Sequence, residues 1–93
     1  MYTLEVHRKA RAFLEALPEK IHGKVRERLL SLREEPRPKE SELLVLPDGY
    51  RVYRLHVGRV ITVFYLVIEE TRTVRVLKVM TIEQAHKEYR RWG

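Results

Sequence analysis

Residues 46–80 constrain the fold more than any other part of the chain, because they contain three consecutive strand-like runs separated by turn signals. Turn chemistry is present in Pro47-Asp48-Gly49, at Gly58-Arg59 and in residues 69–72. Connections this short join neighbouring strands in antiparallel hairpins. The middle run is apolar at nearly every position, which is typical of a central strand covered on both faces. The predicted strands are residues 50–57, 60–68 and 73–79, and a shorter strand at residues 2–6 opens the chain.

Two helices are predicted between the first strand and this segment. In the first helix, Ala10, Phe13, Leu14 and Leu17 repeat at i, i+3, i+4 and i+7 and form one apolar stripe. Pro18 ends that helix and begins a second one, which runs to about Glu35. Pro36 and Pro38 then favour an extended chain, so residues 36–42 are predicted to be a surface loop. A polar tail at residues 82–92 is predicted to be helical.

The predicted fold class is therefore α+β with the order β-α-α-β-β-β-α. An N-terminal helical hairpin packs on a four-stranded, mostly antiparallel sheet. With 93 residues, of which 44% are hydrophobic, the chain can bury one core, so residues 1–93 are expected to form a single domain. The absence of cysteine excludes disulfides and thiol chemistry, and no run approaches the roughly 20 apolar residues that span a bilayer. We expect a cytoplasmic protein with no membrane association.

Cations and aromatic rings interleave on the second predicted strand and the turn after it. They are Tyr50, Arg51, Tyr53, Arg54, His56 and Arg59. Guanidinium groups bind phosphate oxygens bidentately and rings stack on bases, while the net charge of +6 favours a polyanion or an acidic protein as a partner. This pattern points to RNA. The alternative is that Arg51 and Arg54 only charge an edge strand and so prevent sheet-to-sheet aggregation.

In the order and spacing of its elements, the chain resembles the RelE/ParE superfamily of toxins from bacterial toxin–antitoxin pairs. The resemblance spans nearly the whole chain and is carried by YTLEV, LREEPRP, LPDGYRVYRLHVGRV and VFYLVIEE. It implies one of two activities, because RelE-like members cut mRNA in the ribosomal decoding site and ParE-like members poison DNA gyrase. It also implies an antitoxin encoded alongside the toxin.

The resemblance implies basic residues on the second and third strands, and an arginine and a tyrosine near the C-terminus. Tyr50-Arg51 matches an aromatic–basic pair, Arg54 or Tyr53 falls near a second basic position, and Arg59 lies one residue from a family arginine. The family's terminal tyrosine aligns with Tyr89 or His86. The C-terminal arginine has no counterpart, since the chain there reads Met80-Thr81-Ile82-Glu83-Gln84. This departure keeps the gyrase inhibitor, and a degenerate toxin that only binds its antitoxin, as alternatives to the ribonuclease.

RNA cleavage by the 2′-hydroxyl needs a base, an acid and cations that stabilise the charge on phosphorus. Histidine is the side chain whose unperturbed pKa lies near neutral pH, so His56 and His86 are candidates for the acid and base. The predicted catalytic residues are Arg54, His56, Arg59, His86 and Tyr89, and the predicted RNA- or phosphate-binding residues are Arg51, Tyr53, Lys78 and Arg90. The scattered histidines have no carboxylate pair at ligand spacing, so we predict a metal-independent endoribonuclease without a cofactor.

The predicted partners are a cognate antitoxin, the ribosome and mRNA. An acidic or amphipathic antitoxin segment is expected to cover the basic face and the groove beside the helical hairpin. Without it, the free protein could pair with itself as a homodimer through exposed apolar surface.

Overall fold

The computed structural model describes the backbone of residues 1–92 and the side chains of residues 1–87. Over this range the chain forms β1 (Thr3–Val6), α1 (Arg8–Glu15), α2 (Glu19–Ser31), β2 (Glu42–Val45), β3 (Arg51–Val57), β4 (Ile61–Ile68), β5 (Thr73–Thr81) and α3 (Ile82–Trp92). The α+β class is confirmed, as is the helical hairpin that follows the first strand. None of these helices combines the length and the apolar composition that a bilayer crossing would require.

The sheet has five strands in the order β1-β5-β4-β3-β2, so the prediction of four strands is wrong. β1 pairs with β5 in parallel, and the other three pairings are antiparallel. The additional strand, β2, has only four residues and begins where the predicted loop was expected to end. It pairs with β3 in an antiparallel ladder, in which Glu42 lies opposite Arg54 and Val45 lies opposite Arg51. Its strand conformation therefore depends on a partner that no local pattern indicates.

The core lies on both faces of β4, as predicted for a central strand. On one face, which we call the hairpin face, Ile61, Val63 and Tyr65 pack under α1 and α2. On the other face, Phe64 packs with Leu44 and Val52 beneath Ala85 of α3. We call this second side the α3 face. β4 is therefore buried on both sides, and each face of the sheet has its own hydrophobic cluster.

The second helix ends at Ser31, four residues earlier than the sequence predicts. The next residues form a turn of the 3₁₀ type, in which the N–H groups of Leu32 and Arg33 donate to carbonyls three residues earlier, both at 3.1 Å. Pro36 disfavours helical backbone at Glu35, but the helix ends four residues before that position. The loop that follows is only partly a surface loop, since Pro36 and Pro38 are buried.

The C-terminal helix α3 begins directly after β5 with a reciprocal cap. The Gln84 N–H donates to the Thr81 hydroxyl, and the Thr81 N–H donates to the Gln84 side-chain carbonyl, both at 3.1 Å. The Ile82 N–H donates to the Val60 carbonyl at 2.8 Å. This arrangement confirms the predicted helical tail and sets its start beside the β3–β4 turn.

Candidate functional site on the α3 face

Arg54 and His56 lie on the α3 face of β3. The register through β3 is continuous, so side chains alternate strictly, and Val52 packs in the α3-face cluster while Leu55 packs in the hairpin-face core. By the same alternation Arg51 belongs to the hairpin face. The guanidinium of Arg54 and the imidazole of His56 therefore lie on the same surface of the sheet.

A row of four side chains crosses the α3 face from the sheet edge to β5. Register pairs Glu42 with Arg54, Arg54 with Phe64, and Phe64 with Lys78. The Arg54 guanidinium forms an ion pair with the Glu42 carboxylate. Phe64 is fully buried, whereas Lys78 is exposed. Since adjacent strands lie about 4.8 Å apart, the backbones at Arg54 and Lys78 are roughly 10 Å apart, a separation that long cationic side chains can bridge through phosphate groups.

His56 lies one row further along, opposite Thr62 of β4. Its Nδ1 is 2.7 Å from the Thr62 hydroxyl oxygen. Partial burial lowers the pKa of His56, the Arg54 charge lowers it further, and the Glu42 carboxylate opposes that shift. A pKa below 6.5 makes the neutral form of the imidazole predominant at pH 7, and this form has a nitrogen lone pair that can accept a proton.

His86 and Arg59 lie at the same end of the sheet. His86 is exposed on α3, and its electrostatic interaction with His56 is the weakest of the effects that shift the pKa of His56. Arg59 is exposed in the β3–β4 turn, next to the Val60 carbonyl that receives the first N–H of α3. The structure thus brings Arg54, His56, Arg59, Lys78 and His86 to one side of the molecule.

Two other predicted residues, Tyr53 and Arg51, do not join this group. Tyr53 lies on the hairpin face, where its ring stacks on Tyr65 with a centroid separation of 5.5 Å. The Arg37 Nε donates to the Tyr53 hydroxyl at 2.9 Å, and the Arg37 guanidinium lies 5.7 Å from the centre of the ring. Arg51 is on the hairpin face as well. The contacts of Tyr53 are those of a structural residue. The side chains of Tyr89 and Arg90 lie outside the described residues.

Two residues of the site were missed by the sequence reasoning. Thr62 could have been found, because a hairpin that turns at Gly58-Arg59 places position 62 opposite position 56. Glu42 had no such signal, since the strand that carries it was not predicted. Among residues 1–87, no three His, Asp or Glu side chains converge in a way that could hold a metal ion.

A separate groove of about 650 Å³ runs between α1 and the outer edge of β5. It is lined by His7, Lys9, Ala10, Phe13, Leu77, Lys78, Val79 and Met80. β1 ends at Val6, opposite Val76, so the last residues of β5 extend past their parallel neighbour. We call this feature the α1–β5 groove; its lining combines apolar residues with Lys9 and Lys78.

The chain was also compared with families of known proteins. Residues 4–85 match the family model described as the ParE toxin of the type II toxin–antitoxin system parDE. No match was found among curated proteins.

The fold is also similar to solved toxin structures. A RelE–RelB complex from Pyrococcus horikoshii OT3 contains a chain with 24% identity and a TM-score of 0.75, covering 86% of this chain and 93% of that one. The toxin–antitoxin complex RelBE2 from Mycobacterium tuberculosis gives 26% identity, a TM-score of 0.74, and coverage of 86% and 96%. The isolated Escherichia coli RelE toxin gives 22% identity and a TM-score of 0.73 over 98% of each chain. The chain belongs to the ParE toxin family of type II toxin–antitoxin systems, within the RelE/ParE superfamily.

Proposed function

We propose that this toxin is a ribosome-dependent endoribonuclease that cuts mRNA with the α3 face of its sheet. The observation that carries the proposal is the convergence of a guanidinium, an imidazole with a lowered pKa and a lysine on that face: Arg54, His56 and Lys78. This combination suits cleavage by the ribose 2′-hydroxyl, which needs a proton acceptor and positive charge around one phosphate.

In the proposed reaction, His56 accepts the 2′-hydroxyl proton as the 2′-oxygen attacks phosphorus. The bond between phosphorus and the 5′-oxygen breaks, and the leaving oxygen takes a proton from the imidazolium form of His86. The products are a 2′,3′-cyclic phosphate and a free 5′-hydroxyl. Arg54 stabilises the charge on the phosphoryl oxygens, because a guanidinium keeps its proton throughout. Lys78 and Arg59 bind neighbouring phosphates.

We also propose a cognate antitoxin as the partner that silences the toxin. The relatives from P. horikoshii and M. tuberculosis are complexes with antitoxins. In this chain the α1–β5 groove combines apolar residues such as Phe13 and Leu77 with the cations Lys9 and Lys78. Such a groove suits an acidic amphipathic segment, and the net charge of +6 would speed its association.

The test compares growth and mRNA integrity during induced expression in a bacterial host. The wild type is expected to arrest growth and to produce new mRNA ends in primer extension, and the double variant Arg54→Ala, His56→Ala is expected to do neither. The matched control removes the same two residue types from α2, with Arg26→Ala and His22→Ala, and should remain toxic. Toxicity without mRNA cuts would refute the ribonuclease.

A second candidate function, inhibition of DNA gyrase, is favoured by the match to the ParE family model. It requires protein contacts and no cleavage. Purified toxin in excess over gyrase in a supercoiling assay separates the two, because a ribonuclease would leave supercoiling unchanged. Loss of supercoiling that persists in the Arg54→Ala, His56→Ala variant would favour gyrase as the target.

A further inference from the structure

We propose that Thr62 is the positioning residue for His56, holding the imidazole with its proton on Nδ1 so that Nε2 is the proton acceptor. This inference rests on the proposed function, since it assigns a role to a neighbour of the proposed base. Thr62 would not touch RNA. It would act only through the 2.7 Å contact between its hydroxyl oxygen and Nδ1 of His56.

The Thr62 hydroxyl is held in a fixed position by the structure around it. Thr62 lies in the β3–β4 hairpin opposite His56, and its side chain is fully buried. A β-branched residue on a central strand has little freedom about χ1. A buried hydroxyl also needs a hydrogen-bond partner, and the His56 ring provides one. The exposed imidazole is therefore tied to a buried, rigid oxygen.

The chemistry of a hydroxyl suits both protonation states of a base. In the neutral ring with the proton on Nδ1, His56 donates to the Thr62 oxygen and leaves the Nε2 lone pair open. After Nε2 has accepted a proton, Nδ1 still donates to the same oxygen, so no contact has to break during the reaction. In the opposite tautomer Thr62 would donate to Nδ1, and Nε2 would already carry a proton and could not act as a base.

The surrounding charges do not distinguish the two nitrogens of the His56 ring. Arg54 and His86 disfavour the charged imidazolium, and Glu42 favours it, but each acts on the ring as a whole. The Thr62 hydroxyl is the contact that distinguishes Nδ1 from Nε2 among the described residues around the ring. The hydroxyl can accept from Nδ1–H or donate to Nδ1, so the contact fixes which ring nitrogen faces Thr62. The proposed reaction, which needs an open Nε2, then selects the form with the proton on Nδ1.

The first measurement is the ¹⁵N NMR spectrum of the His56 imidazole in the intact protein above its pKa. We expect the Nδ1–H tautomer in the wild type, and loss of that preference in Thr62→Val, which keeps the shape of the side chain and removes the hydroxyl. Thr62→Ser keeps the hydroxyl and should retain the wild-type tautomer. Thr73→Val removes another buried threonine hydroxyl, on β5, and should leave His56 unchanged. A wild-type Nε2–H tautomer would overturn the inference whatever the activity.

The second measurement is single-turnover mRNA cleavage on programmed ribosomes as a function of pH. In Thr62→Val the rate constant should fall by about 10- to 100-fold from a misplaced base, with little change in the concentration that gives half-maximal rate. Thr62→Ser should stay within a few-fold of the wild type. If Thr62→Val cleaves like the wild type, the positioning role is refuted. If no variant and no wild type cleaves, the ribonuclease proposal fails, and the NMR result still decides whether Thr62 sets the tautomer.

Discussion

Tyr65, at the centre of β4, donates its hydroxyl to the backbone carbonyl of Pro36 at 2.8 Å in a buried environment. Burial raises the pKa of Tyr65 to about 12, so the hydroxyl keeps its proton at physiological pH. The bond joins the most buried strand to the proline-rich loop between α2 and β2. It fixes the loop that delivers Glu42 to the sheet edge, and so it links the core to the candidate site.

Replacing Tyr65 with phenylalanine should destabilise the protein by about 1–2 kcal/mol, because the Pro36 carbonyl would be left buried without its partner. Urea denaturation followed by circular dichroism measures the change. Tyr50→Phe is the matched control, since Tyr50 is exposed, and its midpoint should match the wild type. Equal midpoints for both variants would show that the loop is held by other contacts.

The contact between Arg37 and Glu69 should make the stability of the protein fall more steeply as the pH decreases below 4.5. The Arg37 guanidinium donates to the Glu69 carboxylate and to the Tyr53 hydroxyl, each at 2.9 Å. The Arg37 contact, followed by a hydrogen bond from Tyr2, lowers the pKa of Glu69 below 4.5. A depressed carboxylate pKa gives stability that is present above pH 4.5 and is lost as the pH falls through the folded-state value.

In Arg37→Gln, the loss of stability below pH 4.5 should therefore be shallower than in the wild type. Urea midpoints at a series of pH values test this. Arg26→Gln, the same change on an exposed position of α2, is the control and should preserve the wild-type slope. A profile for Arg37→Gln that is parallel to the wild type would contradict the assigned contact.

The sequence predicted the elements whose signals are local. The β3–β4 hairpin follows from the turn at Gly58-Arg59, and Gly58 adopts a φ of 61° that suits glycine. The helical tail follows from the sequence pattern of residues 82–92, and the structure adds the cap between Thr81 and Gln84. The residue pair Arg54 and His56 could be placed on one face because strand alternation needs no tertiary information. These predictions agree with the structure because each feature is determined by interactions between residues that are close in sequence.

The sequence failed where structure depends on distant partners. β2 exists because it pairs with β3, and a run of four residues gives no period to detect. Alternation assigns Tyr53 to one face but does not reveal that this face is the helical hairpin's, where the ring stacks on Tyr65. Glu42 was missed for the same reason as β2. The predicted cations were thus found without the carboxylate that pairs with one of them.

Lys78 should contribute a salt-dependent phosphate contact. It shares the α3 face with Arg54 across the buried Phe64. For the free toxin and a short single-stranded RNA, Lys78→Met should reduce the slope of log K against log salt by about 0.7, the value for one phosphate on a single strand. Fluorescence anisotropy between roughly 50 and 200 mM KCl measures the slope. Lys20→Met on α2 removes the same charge from an exposed position elsewhere, and an equal effect there would show that only net charge matters.

Glu42 should act as an internal competitor for RNA phosphate, because its carboxylate already occupies the Arg54 guanidinium. In Glu42→Gln we expect RNA affinity to rise a few-fold, corresponding to under about 1 kcal/mol for a partly exposed pair. Glu40→Gln is the control, since it also removes one negative charge and breaks an ion pair, with Arg28, away from the site. An equal gain in both variants would attribute the effect to net charge alone.

The same substitution should also lower the pKa of His56. Glu42 raises that pKa, while burial and Arg54 lower it below 6.5, so removing the carboxylate shifts the titration further to acid. A depressed histidine pKa means that stability is full above pH 6.5 and is lost as the pH falls through the folded-state value, because the folded protein resists protonation. NMR titration of the His56 ring should give a midpoint below 6.5 in the wild type, a lower one in Glu42→Gln, and the wild-type value in Glu40→Gln. A wild-type midpoint at or above 6.5 would remove the reason for assigning His56 as the base that is neutral at pH 7.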